Sequence, residues 1–164
     1  MTLITHISVS KMNELNPLAC AGVIVTKDND VVIVKTHSNN YGFPKGKRKN
    51  KETVVENAFR ELYEESGITP NMITIAKGMY VDEMSNNNNP SIRYLIAKFI
   101  GPSDFKFVFN PKELSAVKWY NIDKAAQLVF DKRKPVLHTV KEILANPFIP
   151  YVNGSQIQSQ HLIQ

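Results

Sequence analysis

The 164-residue chain has one cysteine and one tryptophan, and it holds only 7 glycines. A lone cysteine excludes an intramolecular disulfide, and Cys20 sits in the apolar run LACAGVIV, the setting of a small buried residue rather than a nucleophile. No apolar stretch approaches the roughly 18 to 20 residues that span a bilayer. The N-terminal MTLITHISVSKMNELN lacks the basic start and apolar block of a secretory signal. The expectation is therefore a cytoplasmic protein with no membrane partner. No internal repeat is found, and the low-complexity tract SNNNNP at 85–90 is too short to be more than a loop.

Hydrophobic residues at 43% and charged residues at 21% are ordinary for a globular chain, and 18.6 kDa suits one domain with a real core. Twenty Lys and Arg oppose 15 Asp and Glu, for a net charge of +5 and a pI near 9.3. That balance suits an anionic partner such as a nucleotide, a nucleic acid or an inositol phosphate.

Leu18–Thr26 is a continuous apolar run of strand length, and Val31–Lys35 answers it across the turn KDND, so the two predict a hairpin. A first strand is expected at Leu3–Val9, and 37–51 reads as a loop rich in Asn, Gly, Pro and Lys. Glu52–Ser66 is the clearest helix, with Val55, Ala58, Phe59 and Leu62 on one face and Gly67 as its stop. Its start is open between Glu52 and an N-cap at Thr53, which has Glu56 in capping-box relation. Strands follow at Thr74–Val81, Ile92–Ile100 and Val117–Tyr120, then helices at Asp123–Phe130 and Val136–Ala145. The expected organisation is one domain over 1–148 and a polar, loosely held tail over 149–164. This order of elements suits an α+β or layered α/β/α domain.

The chemistry concentrates in GKRKNKETVVENAFRELYEESGI, from Gly46 to Ile68. Glu61, Glu64 and Glu65 stand at i, i+3 and i+4 and share a helix face. Like charges so placed repel by a few tenths of a kcal/mol per pair, which Arg60 can offset and a hard cation such as Mg²⁺ or Mn²⁺ can offset better. The competing explanation for a bare E-x-x-E-E is a solvated charged face. Lys45, Lys47, Arg48, Lys49 and Lys51 crowd the approach to this helix, as they would to draw in a polyphosphate.

Gly46, five residues, Glu52, seven residues, then Arg60-Glu61-Leu62-x-Glu64-Glu65-x-Gly67-Ile68 fills every defined position of a Nudix box. The chain thus resembles the Nudix hydrolases, which cleave nucleoside diphosphates linked to another moiety, and the likeness extends over about residues 17–145. The resemblance implies an α/β/α sandwich with a mixed sheet, and Mg²⁺ or Mn²⁺ held by Glu61, Glu64, Glu65 and the carbonyl of Gly46. It implies that Glu52 and Arg60 support the cluster through a salt bridge. Hydrolysis also needs a carboxylate to take a proton from the attacking water. Glu64 comes first among the candidates, with Glu61 and the loop residue Glu113 beside it, and Asp82 and Glu83 behind.

The box specifies the bond rather than the molecule. Lys35, Tyr41, Phe43, Lys45, Lys47 and Arg48 are the candidates for holding substrate, the aromatic pair by stacking on a base, although packing on the sheet is the competing role for Phe43. FPKGK is similar to the approach in messenger-RNA decapping enzymes and diadenosine polyphosphate hydrolases, whereas KWYNIDKAAQLVFDKRKPVLHTVKEIL resembles the C-terminal part of diphosphoinositol polyphosphate phosphohydrolases. The expected substrate is a dinucleoside polyphosphate or a capped or 5′-triphosphate RNA. A diphosphoinositol polyphosphate, a non-catalytic nucleotide sensor and a basic nucleic-acid-binding protein without chemistry are the alternatives. Degenerate sensors lose box acids, and this chain keeps them all.

Overall fold

A computed structural model of the chain describes residues 5–6, 12 and 15–162. The strands are β1 (Thr5–His6), β2 (Cys20–Lys27), β3 (Asp30–Thr36), β4 (Tyr41–Gly42), β5 (Lys45–Lys47), β6 (Ile73–Met84), β7 (Pro90–Phe99), β8 (Leu114–Asn121) and β9 (Tyr151–Asn153). The helices are α1 (Val54–Ser66), α2 (Ile122–Leu128), α3 (Lys134–Ala145) and α4 (Gly154–Leu162).

The strands form one mixed sheet in the order β1-β6-β7-β2-β3-β4, with β5 on β2, β8 on β3 and β9 on β6. β2 and β7 run parallel from Cys20↔Ile92 to Thr26↔Lys98, and the other described pairings are antiparallel. A central strand buried on both faces must be apolar throughout, and this is why residues 21–25 of β2 show no alternation, whereas residues 18–20 before them are only partly covered. Its Val23 and Val25 join Val32, Leu95 and Ala97 in a core under Val55, Ala58, Phe59 and Leu62 of α1. On the opposite face Ile24, Ile33, Tyr94 and Ile96 pack under Val136, Leu137, Val140 and Ile143 of α3. The result is an α/β/α sandwich with a mixed sheet. Each fully buried Leu, Ile or Val side chain contributes about 1.5 to 3 kcal/mol by leaving water.

The start of α1 falls at Val54, not at Glu52. Thr53 is the N-cap: its hydroxyl accepts the Glu56 N–H at 3.1 Å and its own N–H donates to the Glu56 carboxylate at 3.0 Å, so the capping box is complete. Gly67 ends the helix in the left-handed region at φ 79°, donating its N–H to the Tyr63 carbonyl at 2.8 Å.

Two expectations are corrected. The segment 37–51 is not loop throughout, because β4 pairs with β3 and β5 pairs with β2. Composition hid these strands, since two or three residues carry no periodicity. The end of the chain is not a loose tail: β9 pairs with β6, and Ile157 of α4 is fully buried in the α1-side core. Of the expected first strand at Leu3–Val9, only Thr5–His6 is described, paired with Tyr80 and Met79, and the remainder lies outside the described residues. SNNNNP is the expected loop, joining β6 to β7, with Asn88 at φ 60° and the Ser85 N–H on the Asn89 carbonyl at 2.8 Å.

Candidate active site

Pairing of Ala21 with Gly46 and of Gly22 with Lys45 lays β5 alongside β2, next to the acidic face of α1. Glu61 packs directly on Gly46: a Cβ there would fall 2.2 Å from the Glu61 carboxyl carbon. No other residue permits that approach. Glu65 accepts the Lys45 N–H at 3.1 Å. Asn57, buried within α1, donates Nδ2–H to the Gly46 carbonyl at 3.2 Å. The sequence reading missed Asn57, and the signal for it is its place four residues before Glu61, which puts it on the acidic face of the helix.

Arg60 is the hub that offsets the carboxylate repulsion. Its Nε and Nη2 donate to the two Glu52 oxygens at 2.6 and 2.9 Å. Its Nη1 donates to Glu61 at 2.8 Å and to Glu64 at 3.2 Å, and Nη2 also reaches the Lys47 carbonyl at 2.9 Å. Glu52 in turn accepts the Lys49 N–H at 2.6 Å, while Arg48 Nε donates to the Glu52 carbonyl at 2.6 Å. The Arg60 guanidinium, helped by the Lys49 N–H and opposed by burial, holds Glu52 below the usual carboxylate range, and Glu52 raises Arg60 in turn.

Glu65 behaves differently. Burial pushes its carboxyl up to about 7; the Lys45 N–H works against this, and the charges of Glu61 and Glu113 add to it. The chain thereby brings Glu113, from the turn before β8, within electrostatic reach of the helix face although 48 residues separate it from Glu65 in sequence. A carboxylate that is desolvated and repelled by two others gains most from a divalent cation. Clustered carboxylates and a backbone carbonyl are the donors a hard ion takes. As they stand, Glu61 and Glu64 are turned to Arg60 and Glu65 to Lys45, and among the described residues no three such side chains converge to hold one ion. In kind, the donors fit Mg²⁺ or Mn²⁺.

The substrate candidates divide. Lys45, Lys47 and Arg48 lie beside the acidic face on and after β5. Lys35 and Tyr41 lie on the neighbouring β3–β4 pair, with the Lys35 ammonium 5.4 Å from the Tyr41 ring centre and Tyr41 edge-on to Tyr120 at 6.3 Å. Phe43 is corrected: it is 0% exposed, packed edge-on to Tyr94 at 5.3 Å in the α3-side core, and no base can reach it. Asp82 and Glu83 are corrected as proton acceptors. Asp82 is clamped by Arg93 through two bonds of 2.8 Å, and Glu83, 1% exposed, is paired with Arg133 at 2.8 Å. Arg133 escaped the sequence reading, because KRKP reads as an exposed basic turn.

The family model described as NUDIX domain matches residues 16–140. An m7GpppN-mRNA hydrolase of Caenorhabditis elegans is 28% identical over 136 residues, which cover 77% of this chain and 16% of that protein. The chain therefore spans about a sixth of that relative's length. Among solved structures, a binary complex of the C. elegans Ap4A hydrolase superposes with a TM-score of 0.67 at 21% identity, covering 77% of this chain and 98% of that one. A further structure, of C. elegans Ap4A hydrolase, gives 0.66 at 20% identity, over 79% of this chain and 100% of that one. At these identities the superpositions speak for the fold.

Proposed function

The chain belongs to the NUDIX domain family, hydrolases that act on phosphorus-containing acid anhydrides, and from that premise we propose that it cleaves a diphosphate linkage in a nucleoside-polyphosphate-type substrate. A dinucleoside polyphosphate or a capped or 5′-triphosphate RNA is the substrate class, and Mg²⁺ or Mn²⁺ the cofactor. The observation that carries the reading is the face of α1 where Glu61, Glu64 and Glu65 stand beside Gly46 and Lys45. The names of an mRNA hydrolase and an Ap4A hydrolase among the similar proteins support the choice of substrate class.

Held by Glu61, Glu64, Glu65 and the Gly46 carbonyl, the ion would neutralise phosphate oxygens and lower the pKa of an attacking water. The chain's own residues do the rest. Lys45, Lys47, Arg48 and Lys49 draw in the polyphosphate. Arg60 keeps the carboxylates aligned, anchored itself on Glu52. Glu64 is exposed and, among the described residues, held through Arg60 at 3.2 Å and Lys49 at 4.0 Å, so of the three helix carboxylates it is the freest to accept the water's proton, with Glu61 and Glu113 the other acceptors on this side.

The test is product release, resolved by ion exchange, from diadenosine tetraphosphate, capped RNA, diphosphoinositol pentakisphosphate and oxidised dGTP with Mg²⁺ or Mn²⁺. Cleavage of one substrate, reduced by roughly 10²-fold or more in Glu64→Gln, is expected. Binding of nucleotide with no turnover on any of them would replace the hydrolase by the sensor.

A further inference from the structure

Strands β4 and β5 hold two and three residues, and between them Phe43 and Pro44 belong to no ladder. The segment that carries Lys45 to the acidic face therefore needs other anchors. Each of its residues has one. Tyr41 offers its carbonyl to Arg133 Nη1 at 3.0 Å. Gly42 lies so close to that guanidinium that a Cβ would fall 2.8 Å from Nη1. Phe43 is edge-on to Tyr94, and Pro44 takes the Val23 N–H at 3.1 Å. Lys45 ends the run with its N–H on Glu65.

The first three anchors meet at one buried group. Glu83 Oε1 accepts Arg133 Nε at 2.8 Å and the Tyr94 hydroxyl at 3.1 Å, with Glu83 1% and Arg133 8% exposed. Arg133 thus divides its fork, one nitrogen on Glu83 and another on the backbone of the approach segment, while its carbon centre lies 5.2 Å from the Phe130 ring centre. A buried ion pair is weak evidence of stabilisation by itself, because apolar side chains of the same volume fill such sites at least as well. What apolar side chains cannot supply is the donor to Tyr41.

We propose that Arg133 is a positioning residue for substrate binding: paired with Glu83 behind the sheet, it fixes Tyr41–Lys45 so that the approach lysines face the α1 carboxylates. The proposal rests on the functional reading above. It links the basic turn before α3 to the site on the other side of the sheet, through a chain of contacts no motif records.

Two variants separate positioning from folding. Arg133→Lys keeps a cation for Glu83 and loses the fork that reaches Tyr41. Glu83→Gln with Arg133→Met removes both charges and the tether together. Amide exchange of Gly42, Phe43 and Lys45 is followed by mass spectrometry, beside thermal unfolding and steady-state kinetics on the substrate that the panel identifies. In Arg133→Lys the exchange of these amides quickens about tenfold and KM rises about tenfold, while kcat stays within roughly threefold and unfolding temperature falls by only a few degrees. The double variant repeats the pattern. Unchanged exchange and unchanged KM in a folded variant overturn the proposal. So does a loss spread evenly over exchange throughout the chain, kcat and KM, which marks a purely structural pair. If wild type cleaves nothing, the functional reading has failed, and the exchange of the three amides still decides the tether.

Discussion

Glu65→Gln isolates the electrostatic tension at the site. Gln keeps the shape and an oxygen for the Lys45 N–H but carries no charge. In the folded protein without metal the Glu65 carboxyl is pushed from an ordinary 4.5 up to about 7, chiefly by burial. Folding therefore favours its protonated form. Between those two values the native state binds more protons than the unfolded state, so stability falls as pH rises through this window. Below about 4.5 the group is neutral in both states and costs nothing; above about 7 its full cost is present. At 1.36 kcal/mol per pH unit the gap amounts to about 3 kcal/mol. For a chain of this size that is on the order of 6 to 12 °C in unfolding temperature. The assay is urea or thermal unfolding of both proteins in EDTA at pH 4.5, 6, 7 and 8. The difference between them is read, because Glu52, held low by Arg60, contributes with the opposite slope to both. The variant should be the more stable by about 3 kcal/mol at pH 8, with the two converging at pH 4.5. Added Mg²⁺ or Mn²⁺ should stabilise the wild type and leave the variant almost unmoved. A variant no more stable than wild type at pH 8 without metal would refute the reasoning, for it would mean that the Lys45 N–H and solvent already satisfy the charge.

Replacing Arg60 by Met removes the hub of the cluster and leaves Glu52, Glu61 and Glu64 without their shared cation; a loss of roughly 2 kcal/mol is expected at pH 7 by urea unfolding, and the part owed to Glu52 shrinks only as pH falls below 4.5 toward its lowered pKa. Thr53→Ala breaks the capping box and should lower unfolding free energy by about 1 kcal/mol while leaving KM alone. Raising salt from 50 to 200 mM should raise KM for a polyphosphate substrate, and Lys47→Ser with Arg48→Ser should flatten that dependence without lowering kcat more than about twofold.

The site's outline was legible in the sequence because an α-helix makes spacing into geometry: Glu61, Glu64 and Glu65 share a face wherever the helix is put, and Thr53 and Gly67 mark its ends by local chemistry alone. The layered fold was legible for a similar reason, since an apolar run such as 21–25 requires cover on both faces. Short strands were not, because Tyr41–Gly42 and Lys45–Lys47 become strands only by pairing with residues already in the sheet. Nor was the fate of individual polar groups. Whether Glu83 is a surface acid or a buried partner of Arg133, 50 residues away, depends on where β6 and the turn before α3 meet. Phe43 and Tyr41 are two residues apart and both aromatic, yet one is sealed in the core and the other half-exposed. Sequence alone determined the family, the helix face and the type of ion its oxygens suit. Tertiary structure decided which charges are spent on each other and which stay open to substrate, because burial and long-range pairing are properties of the packed chain and not of any segment in it.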